Sequence, residues 1–194
     1  MTVLDRGISY IVKSALRVVW GEFRDLRPRI HAVRFLSEFI PLEVRGPIRV
    51  KLMRSMGCTV GEGTLVADMP KITGIQGQSA ANLRIGRKCA IGVACEFEIV
   101  NTITIGDNVT IGHQVLLLTT THELGPRNGR AGAPVANPVV IEDGVMIGAR
   151  CVVLPGVTIG KGSIIEPCSV VNTNVPPDTR ASGIPARQIG DLSS

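Results

Sequence analysis

Residues 141–175 run IEDGVM-IGARCV-VLPGVT-IGKGSI-IEPCSV-VNTNV, and their hydrophobic pattern repeats every six positions. The first position of each unit is aliphatic: Ile141, Ile147, Val153, Ile159, Ile165 and Val171. The fifth position is small: Val145, Cys151, Val157, Ser163, Ser169 and Val175. An amphipathic helix would repeat at about 3.6 residues and a half-buried strand at two. A six-residue period instead indicates stacked coils, and it predicts a parallel β-helix.

The repeat also predicts how the coils stack. Three units close one triangular coil of about 18 residues, and successive coils are separated by roughly the 4.8 Å strand spacing. Residues 18 apart should therefore lie above one another: Ile141 on Ile159, Ile147 on Ile165 and Val153 on Val171. Glycine often occupies the second position, as in Gly148 and Gly160, where we expect a corner that needs positive φ.

Composition agrees with a narrow aliphatic core. Aromatic residues make up 3% of the 194 positions, so Ile and Val must fill the interior, and the 22 Gly and 12 Pro suit frequent corners. The net charge of +5 is uneven, because residues 1–56 carry 11 basic and five acidic groups. A basic front end suits a membrane surface, a nucleic acid or a partner subunit. Since no aromatic residues alternate with the basic ones, we do not expect nucleic-acid binding.

The cysteine pattern indicates whether the protein works in a reducing or an oxidising compartment. The five cysteines form no CxxC motif and leave an odd one. Cys89, Cys95 and Cys151 occupy fifth positions, where a small side chain is required, so packing alone can explain each of them. We expect free thiols in a reducing compartment. The chain also shows no signal-peptide pattern and no apolar run of about 20 residues. The expected localisation is cytoplasmic, or peripheral at the inner membrane face.

The pattern divides the chain into three parts. Residues 1–56 have helical character, residues 57–176 carry the repeat, and residues 177–194 form a non-repetitive tail that we expect to fold back along the coils. The first part fits a helical cap over the open end of the β-helix, which would cover an exposed strand edge. It also fits a basic amphipathic anchor that contacts lipid head groups.

The repeat is interrupted once by a long segment. A two-residue slip at positions 103–104 comes first, and residues 123–134, ELGPRNGRAGAP, then show no aliphatic period. A protruding loop of this kind in a tight coil is often functional. We expect Val135 to resume the repeat. With the loop removed, the spacing groups Ile105, Val135, Val153 and Val171 on one side, and Leu117, Ile147 and Ile165 on another.

Few residues carry recognisable chemistry. The sequence contains no phosphate-binding glycine loop, no HExxH motif and no Cys/His cluster with zinc spacing. His122 stands at the root of the protruding loop, and neutral imidazole is the usual general base near pH 7. The residues alone leave a purely structural role for His122 open. His113 occupies a third position and should face solvent.

Three segments together resemble a known family: LLTTTHEL at 117–124, the hexads of 138–171, and VPPDTRASGIPAR at 175–187. They resemble the hexapeptide-repeat acyltransferases, and within them the sugar O-acetyltransferases of the galactoside and maltose type and those that decorate bacterial surface polysaccharides. The resemblance covers residues 57–190. It implies an all-β, left-handed parallel β-helix, a homotrimer with active sites between neighbouring protomers, and acetyl-CoA as the donor, without a metal.

The resemblance also implies roles for particular residues. His122 matches the histidine that removes the proton of the acceptor hydroxyl before direct attack on the thioester, and Glu123 could orient it. Coenzyme A would lie along five positions: Ala149, Pro167, Asn172, Thr173 and Arg187. Family members often have Thr-Lys where this chain has Asn172-Thr173. Three polar residues could bind a sugar acceptor: Glu96, Glu98 and Asn101.

Two functions of different classes follow. The first is an acetyl-CoA-dependent O-acetyltransferase that acts on a sugar hydroxyl, with transfer to the amine of an amino or nucleotide sugar as its variant. The second is a non-catalytic trimeric β-helix that serves as a scaffold. Acetyl-CoA turnover distinguishes the two.

Overall fold

The repeat folds as three parallel sheets. The structure is a computed structural model that describes residues 45–74 and 80–192, so most of the 1–56 segment for which helices are predicted lies outside the described residues. Sheet A contains β1 (Thr59–Val60), β4 (Leu83–Ile85), β7 (Ile103–Ile105), β12 (Val139–Ile141) and β15 (Thr158–Ile159). Sheet B contains β2 (Leu65–Val66), β5 (Ala90–Ile91), β8 (Thr110–Ile111), β13 (Met146–Ile147), β16 (Ile164–Ile165), β18 (Thr179–Gly183) and β19 (Ala186–Asp191). Sheet C contains β3 (Lys71–Thr73), β6 (Glu96–Glu98), β9 (Leu116–Leu117), β14 (Val152–Val153) and β17 (Val170–Val171).

The chain visits the sheets in the order A, B, C and then returns to A one coil higher. This winding is the left-handed parallel β-helix that the sequence predicted. The expected stacking is also confirmed, because the parallel pairs join Ile141 to Ile159, Ile147 to Ile165, and Val153 to Val171.

The grouping of sides across the protruding segment was wrong. Ile105 pairs with Ile141 in sheet A, and Leu117 pairs with Val153 in sheet C. Val135 lies outside the coils altogether. The coil resumes at Val139, which is fully buried, so the earlier valine matched the hexad pattern by coincidence.

The small fifth position is explained by hydrogen bonding as well as by space. Ser163 and Cys151 are fully buried, and each donates to a backbone carbonyl of the coil above. Ser163 Oγ lies 2.7 Å from the oxygen of Pro176, and Cys151 Sγ lies 3.1 Å from that of Glu166. These side chains therefore join successive coils inside the corners.

Glycine at the second position has a different cause from the one expected. Positive φ occurs at the fourth position instead, as in Gly144 (φ 70°) and Arg150 (φ 60°). A Cβ on Gly148 would lie 2.5 Å from the backbone nitrogen of Pro167, which belongs to the coil above. Second-position glycines are therefore required by the close approach of two coils.

A helix covers one end of the β-helix. α1 (Arg45–Ser55) packs against β1 and β2, the first strands of sheets A and B, and buries Met53 completely. Arg54 donates from Nε to the carbonyl of Val60 at 2.9 Å, and Arg49 donates to the carbonyls of Val66 and Ala67. Carbonyl groups of the first coil thus accept hydrogen bonds from side chains of the helix, as expected for a cap over the end of the β-helix.

The tail continues the architecture at the other end. β18 pairs in parallel with β16 and adds a further strand to sheet B. β19 then runs antiparallel to β18, so the sheet ends in a hairpin. The tail therefore folds back on the last parallel strand.

Charged side chains reinforce the corner between sheets A and B. Arg87 donates from Nη2 to Asp107 at 2.7 Å, and the backbone nitrogen of Arg87 donates to the same carboxylate at 2.7 Å. The Arg87 hydrogen bonds lower the pKa of Asp107 below its usual value. Asp143 in turn accepts a hydrogen bond from the backbone nitrogen of Asp107 at 2.7 Å.

The two classes of glycine should respond differently to substitution. We expect Gly148→Ala to cost about 3 kcal/mol or to prevent folding, because the new methyl group overlaps the coil above. Gly144→Ala should cost about 1 kcal/mol, since nothing lies closer than 3.9 Å to its Cβ and Ala94 adopts the same conformation naturally. Urea unfolding measures both, and equal losses would contradict the steric explanation.

Candidate active site

The chain departs from the six-residue period mainly at one corner. We call the turns between sheets the A–B, B–C and C–A corners. At the C–A corner, Ile159 follows Val153 by six residues, Ile105 follows Phe97 by eight, and Ile141 follows Leu117 by 24. Ile85 also follows Ile72 by 13 residues, so three consecutive coils carry extra residues at this corner. The upper two insertions, between Phe97 and Ile105 and between Leu117 and Ile141, consist of described residues only.

The larger excursion is an antiparallel hairpin. β10 (Thr120–Leu124) pairs with β11 (Ala131–Ala136), and this β10–β11 unit is called the His122 hairpin below. It extends further than the predicted 123–134 loop at both ends. Val135 pairs with Thr121 inside it.

His122 projects from the first strand of this hairpin. The side chain is exposed, and Nδ1 lies 3.0 Å from the carbonyl oxygen of Gly132 on the opposite strand. Because a carbonyl can only accept, Nδ1 must carry the proton in this contact. The neutral ring then has its lone pair on Nε2, which is the form a general base needs.

Glu123 is the next residue and is also exposed. The ring nitrogen of His122 is held by a backbone carbonyl and not by this carboxylate. The sequence did not identify Gly132 as a partner, because a backbone acceptor ten positions away leaves no signal in residue type.

Two predicted coenzyme positions lie on the B–C corner. Ala149 and Pro167 both occupy third positions, in successive coils. The backbone nitrogen of Cys168 donates to the carbonyl of Ala149 at 2.9 Å, which fixes the spacing of the two turns. Pro167 is exposed and Ala149 is partly exposed, so together they form a shallow surface along the corner.

Three further coenzyme positions lie near the end of the prism. Asn172 and Thr173 are exposed and follow β17, and Arg187 lies on β19. Arg187 Nη1 is 3.5 Å from Asn172 Oδ1, at the long limit for a hydrogen bond. The structure thus brings Arg187 and Asn172 together.

The three predicted acceptor residues are engaged with other parts of the chain. Glu96 forms an ion pair with Lys71 at 2.8 Å. Glu98 Oε2 accepts hydrogen bonds from two backbone amides, and Asn101 Nδ2 donates to the carbonyl of Ala136 at 2.8 Å. Glu98 and Asn101 therefore contact the root of the His122 hairpin.

The cysteines have distinct environments. All five are free, and Cys168 on the B–C corner is the exposed one. Burial raises the pKa of Cys58 to about 12, and it also raises the pKa of Cys89, Cys95 and Cys151. The buried thiols are consequently poor nucleophiles.

The described residues contain neither a candidate metal site nor a candidate membrane-spanning helix. Among residues 45–74 and 80–192, no group of three or more His, Cys, Asp or Glu side chains is placed to hold a metal ion. Within the same ranges, no helix has the length and hydropathy that crossing a bilayer requires.

Comparison with known families supports the interpretation of the repeat. A family model described as "Bacterial transferase hexapeptide (six repeats)" matches residues 138–173. A second, "Hexapeptide repeat of succinyl-transferase", matches residues 82–113. These ranges lie on either side of the His122 hairpin.

Similar proteins extend the match to most of the chain. A putative acetyltransferase of Schizosaccharomyces pombe is 44% identical over 58% of this chain, which spans only 55% of that relative's length. The galactoside O-acetyltransferase of Escherichia coli is 34% identical over 75% of this chain and 69% of its own. A hexapeptide-repeat acetyltransferase of Vibrio cholerae, solved in complex with acetyl-CoA, is 29% identical, with a TM-score of 0.68 over 89% of this chain and 90% of its own.

Proposed function

The chain belongs to the hexapeptide-repeat acyltransferase family, and we propose that it transfers an acetyl group from acetyl-CoA to a sugar hydroxyl. The donor is supported by the acetyl-CoA complex of the Vibrio cholerae relative. The sugar acceptor is supported by the galactoside O-acetyltransferase of Escherichia coli. The observation that carries the mechanism is the hydrogen bond between His122 Nδ1 and the Gly132 carbonyl.

In this mechanism His122 acts as the general base. Nε2 accepts the proton of the acceptor hydroxyl while the acceptor oxygen bonds to the acetyl carbon. The carbon–sulfur bond then breaks, and the imidazolium returns its proton to the departing thiolate. The Gly132 carbonyl keeps the proton on Nδ1 and also stabilises the imidazolium that forms. General-base assistance of this kind contributes about 10²–10⁴ in rate.

The coenzyme is proposed to lie along the B–C corner. Ala149 and Pro167 present small side chains there, and exposed backbone between them offers hydrogen bonds to an extended pantetheine chain. Arg187 would meet a phosphate group at the end of the prism, because its guanidinium is suited to phosphate. Asn172 and Thr173 would line the same end.

We also propose a homotrimer, because the two corners are separated within one chain. Sheet C lies between the B–C corner and the C–A corner that carries His122. The outer surface of its upper part, at and beside β9, β14 and β17, is a partly exposed apolar stripe: Leu116, Leu118, Val152, Leu154 and Val170. If sheet C faces a threefold axis, the B–C corner of each protomer lies beside the C–A corner of its partner. The histidine and the coenzyme then meet between subunits.

The acceptor would enter at the C–A corner. Of the three predicted polar contacts, Glu96 remains, because Glu98 and Asn101 already bond to the root of the His122 hairpin. Glu123 would orient the ring of His122. We propose a cytoplasmic location, which agrees with five free cysteines and a soluble acyl donor. Contact of the basic N-terminal segment with a membrane surface is also proposed. The residues that would make that contact precede those that the structure describes.

Replacement of His122 by asparagine isolates the chemical role of Nε2. The asparagine amide can still donate to the Gly132 carbonyl, but it has no basic nitrogen to accept a proton. We expect kcat to fall about 10²–10⁴-fold with little change in the KM for acetyl-CoA. A thiol-release assay with sugar and amino-sugar acceptors measures this.

His113→Asn is the matched control for that substitution. His113 Nδ1 accepts from the backbone nitrogen of Val93 at 3.0 Å, and an asparagine oxygen can do the same. This variant should keep the kcat of the wild type. His113 lies on the B–C corner below Ala149, so any effect of the substitution is expected in the KM for acetyl-CoA. Retention of full activity by His122→Asn would overturn the mechanism, and absence of acetyl-CoA turnover by the wild type with every acceptor would overturn the proposed function.

The trimer is tested by Val152→Arg at the centre of the apolar stripe. We expect the mass measured by light scattering to fall from three chains to one, because a buried unpaired charge at each interface is costly. Activity should be lost while the circular dichroism spectrum is retained. Thr104→Arg on the outer surface of sheet A is the control and should remain trimeric. A trimeric Val152→Arg variant would exclude sheet C as the interface.

A further inference from the structure

We propose that Glu98 and Asn101 are positioning residues that hold the root of the His122 hairpin, and that this role, not sugar binding, explains the extra residues before β7. The inference rests on the proposed function of His122. It assigns a purpose to the two-residue insertion at the C–A corner, which lies one coil below the hairpin.

A protruding hairpin needs support from the rest of the chain. A two-stranded hairpin is at best marginally stable by itself. The last regular bond between coils on the approach to the hairpin joins the nitrogen of Leu118 to the carbonyl of Val153 at 3.0 Å. Beyond that point the corner of the coil above bonds to the exit of the hairpin, because the nitrogen of Gly156 donates to the carbonyl of Pro138 at 3.1 Å. The backbone amides at the start of the hairpin must therefore find acceptors elsewhere.

Glu98 supplies an acceptor from the coil below. Its Oε2 lies 3.1 Å from the backbone nitrogen of Thr119 and 3.0 Å from that of Thr120. Thr119 is fully buried, and its hydroxyl donates to the carbonyl of Glu98 at 2.7 Å. Three hydrogen bonds thus join one glutamate to the entry of the hairpin, and two of them involve a carboxylate, which strengthens them.

Asn101 connects the entry to the exit. Its backbone nitrogen donates to Thr119 Oγ1 at 3.1 Å, and its side-chain nitrogen donates to the carbonyl of Ala136 at 2.8 Å. Its side-chain oxygen accepts from the backbone nitrogen of Thr102 at 2.7 Å, which orients the amide. The nitrogen of Asn137 also donates to the carbonyl of Thr119 at 2.8 Å, so both strands are tied at their base.

The two-residue insertion places Asn101 where it can make these contacts. The chain takes eight residues from Phe97 to Ile105 where six would complete the corner, and Asn101 lies within the added length. His122 is only two positions beyond Thr120, so a change at the root moves the base directly. Since catalytic groups must be held to within about 0.5 Å, a loosened root should reduce turnover more than substrate binding.

The test compares Glu98→Ala with Glu98→Gln in the full-length protein. Glutamine retains an oxygen that can accept from both amides, whereas alanine leaves them without an acceptor. We expect Glu98→Ala to lower kcat about 10²-fold with less than about a threefold change in either KM, and Glu98→Gln to recover most of the activity. Asn101→Ala should resemble Glu98→Ala.

Amide hydrogen exchange supplies the readout that does not depend on catalysis. In Glu98→Ala the amides of Thr119 and Thr120 should exchange at least about tenfold faster, and in Glu98→Gln they should stay protected. Glu96→Ala, on the same strand and the same face, should leave their exchange unchanged.

Two results would overturn the proposal. One is a raised KM for the acceptor in both Glu98 variants with normal amide protection, which would make Glu98 a sugar contact. The other is wild-type kcat in Glu98→Ala. Both outcomes are distinct from failure of the proposed function, in which the wild-type protein itself would show no acetyl transfer.

Discussion

The distance between successive coils is the constraint on which the rest of the structure depends. Parallel strands stack at roughly 4.8 Å, so each corner lies in contact with the corner above it. Where the second position is glycine, this contact leaves no room for a side chain, because a Cβ on Gly148 would overlap Pro167. It also limits the fifth position to small groups, and some of these, such as Ser163, bond to the next coil. Both limits recur at the corners and contribute to the six-residue period of the sequence.

A scaffold this regular makes its departures informative. Two corners follow the period closely, and the C–A corner carries the extra residues of three consecutive coils. The insertion between Phe97 and Ile105 supports the His122 hairpin above it, because Glu98 and Asn101 bond to the entry and the exit of the hairpin. His122 therefore lies in a protruding hairpin whose base is hydrogen-bonded to the coil below it. The tightly stacked coils supply the fixed groups to which the base of the His122 hairpin is bonded.

The sequence predicted the parts that depend on local residue type. The stacking of Ile141 on Ile159 followed from spacing alone. His122 became a candidate from its place beside the interruption, and its catalytic role is a prediction that rests on the family resemblance. The exit point of the hairpin was mistaken because Val135 and Val139 both satisfy a hexad pattern, and only burial distinguishes them. The partners of His122 and Glu98 are backbone groups of Gly132, Thr119 and Thr120, which no residue pattern can specify. Roles for Ala149 and Arg187 rested on the family resemblance, and the structure adds their positions on the prism.

The most direct test of an active site shared between subunits uses mixed trimers of two inactive variants. His122→Asn lacks the base, and Ala149→Trp would block the B–C corner. If each site combines the C–A corner of one protomer with the B–C corner of its partner, randomly mixed trimers contain intact sites at about one interface in four. Co-expressed chains should then recover about a quarter of the wild-type turnover. No recovery in trimers of verified mixed composition would contradict a site shared between subunits.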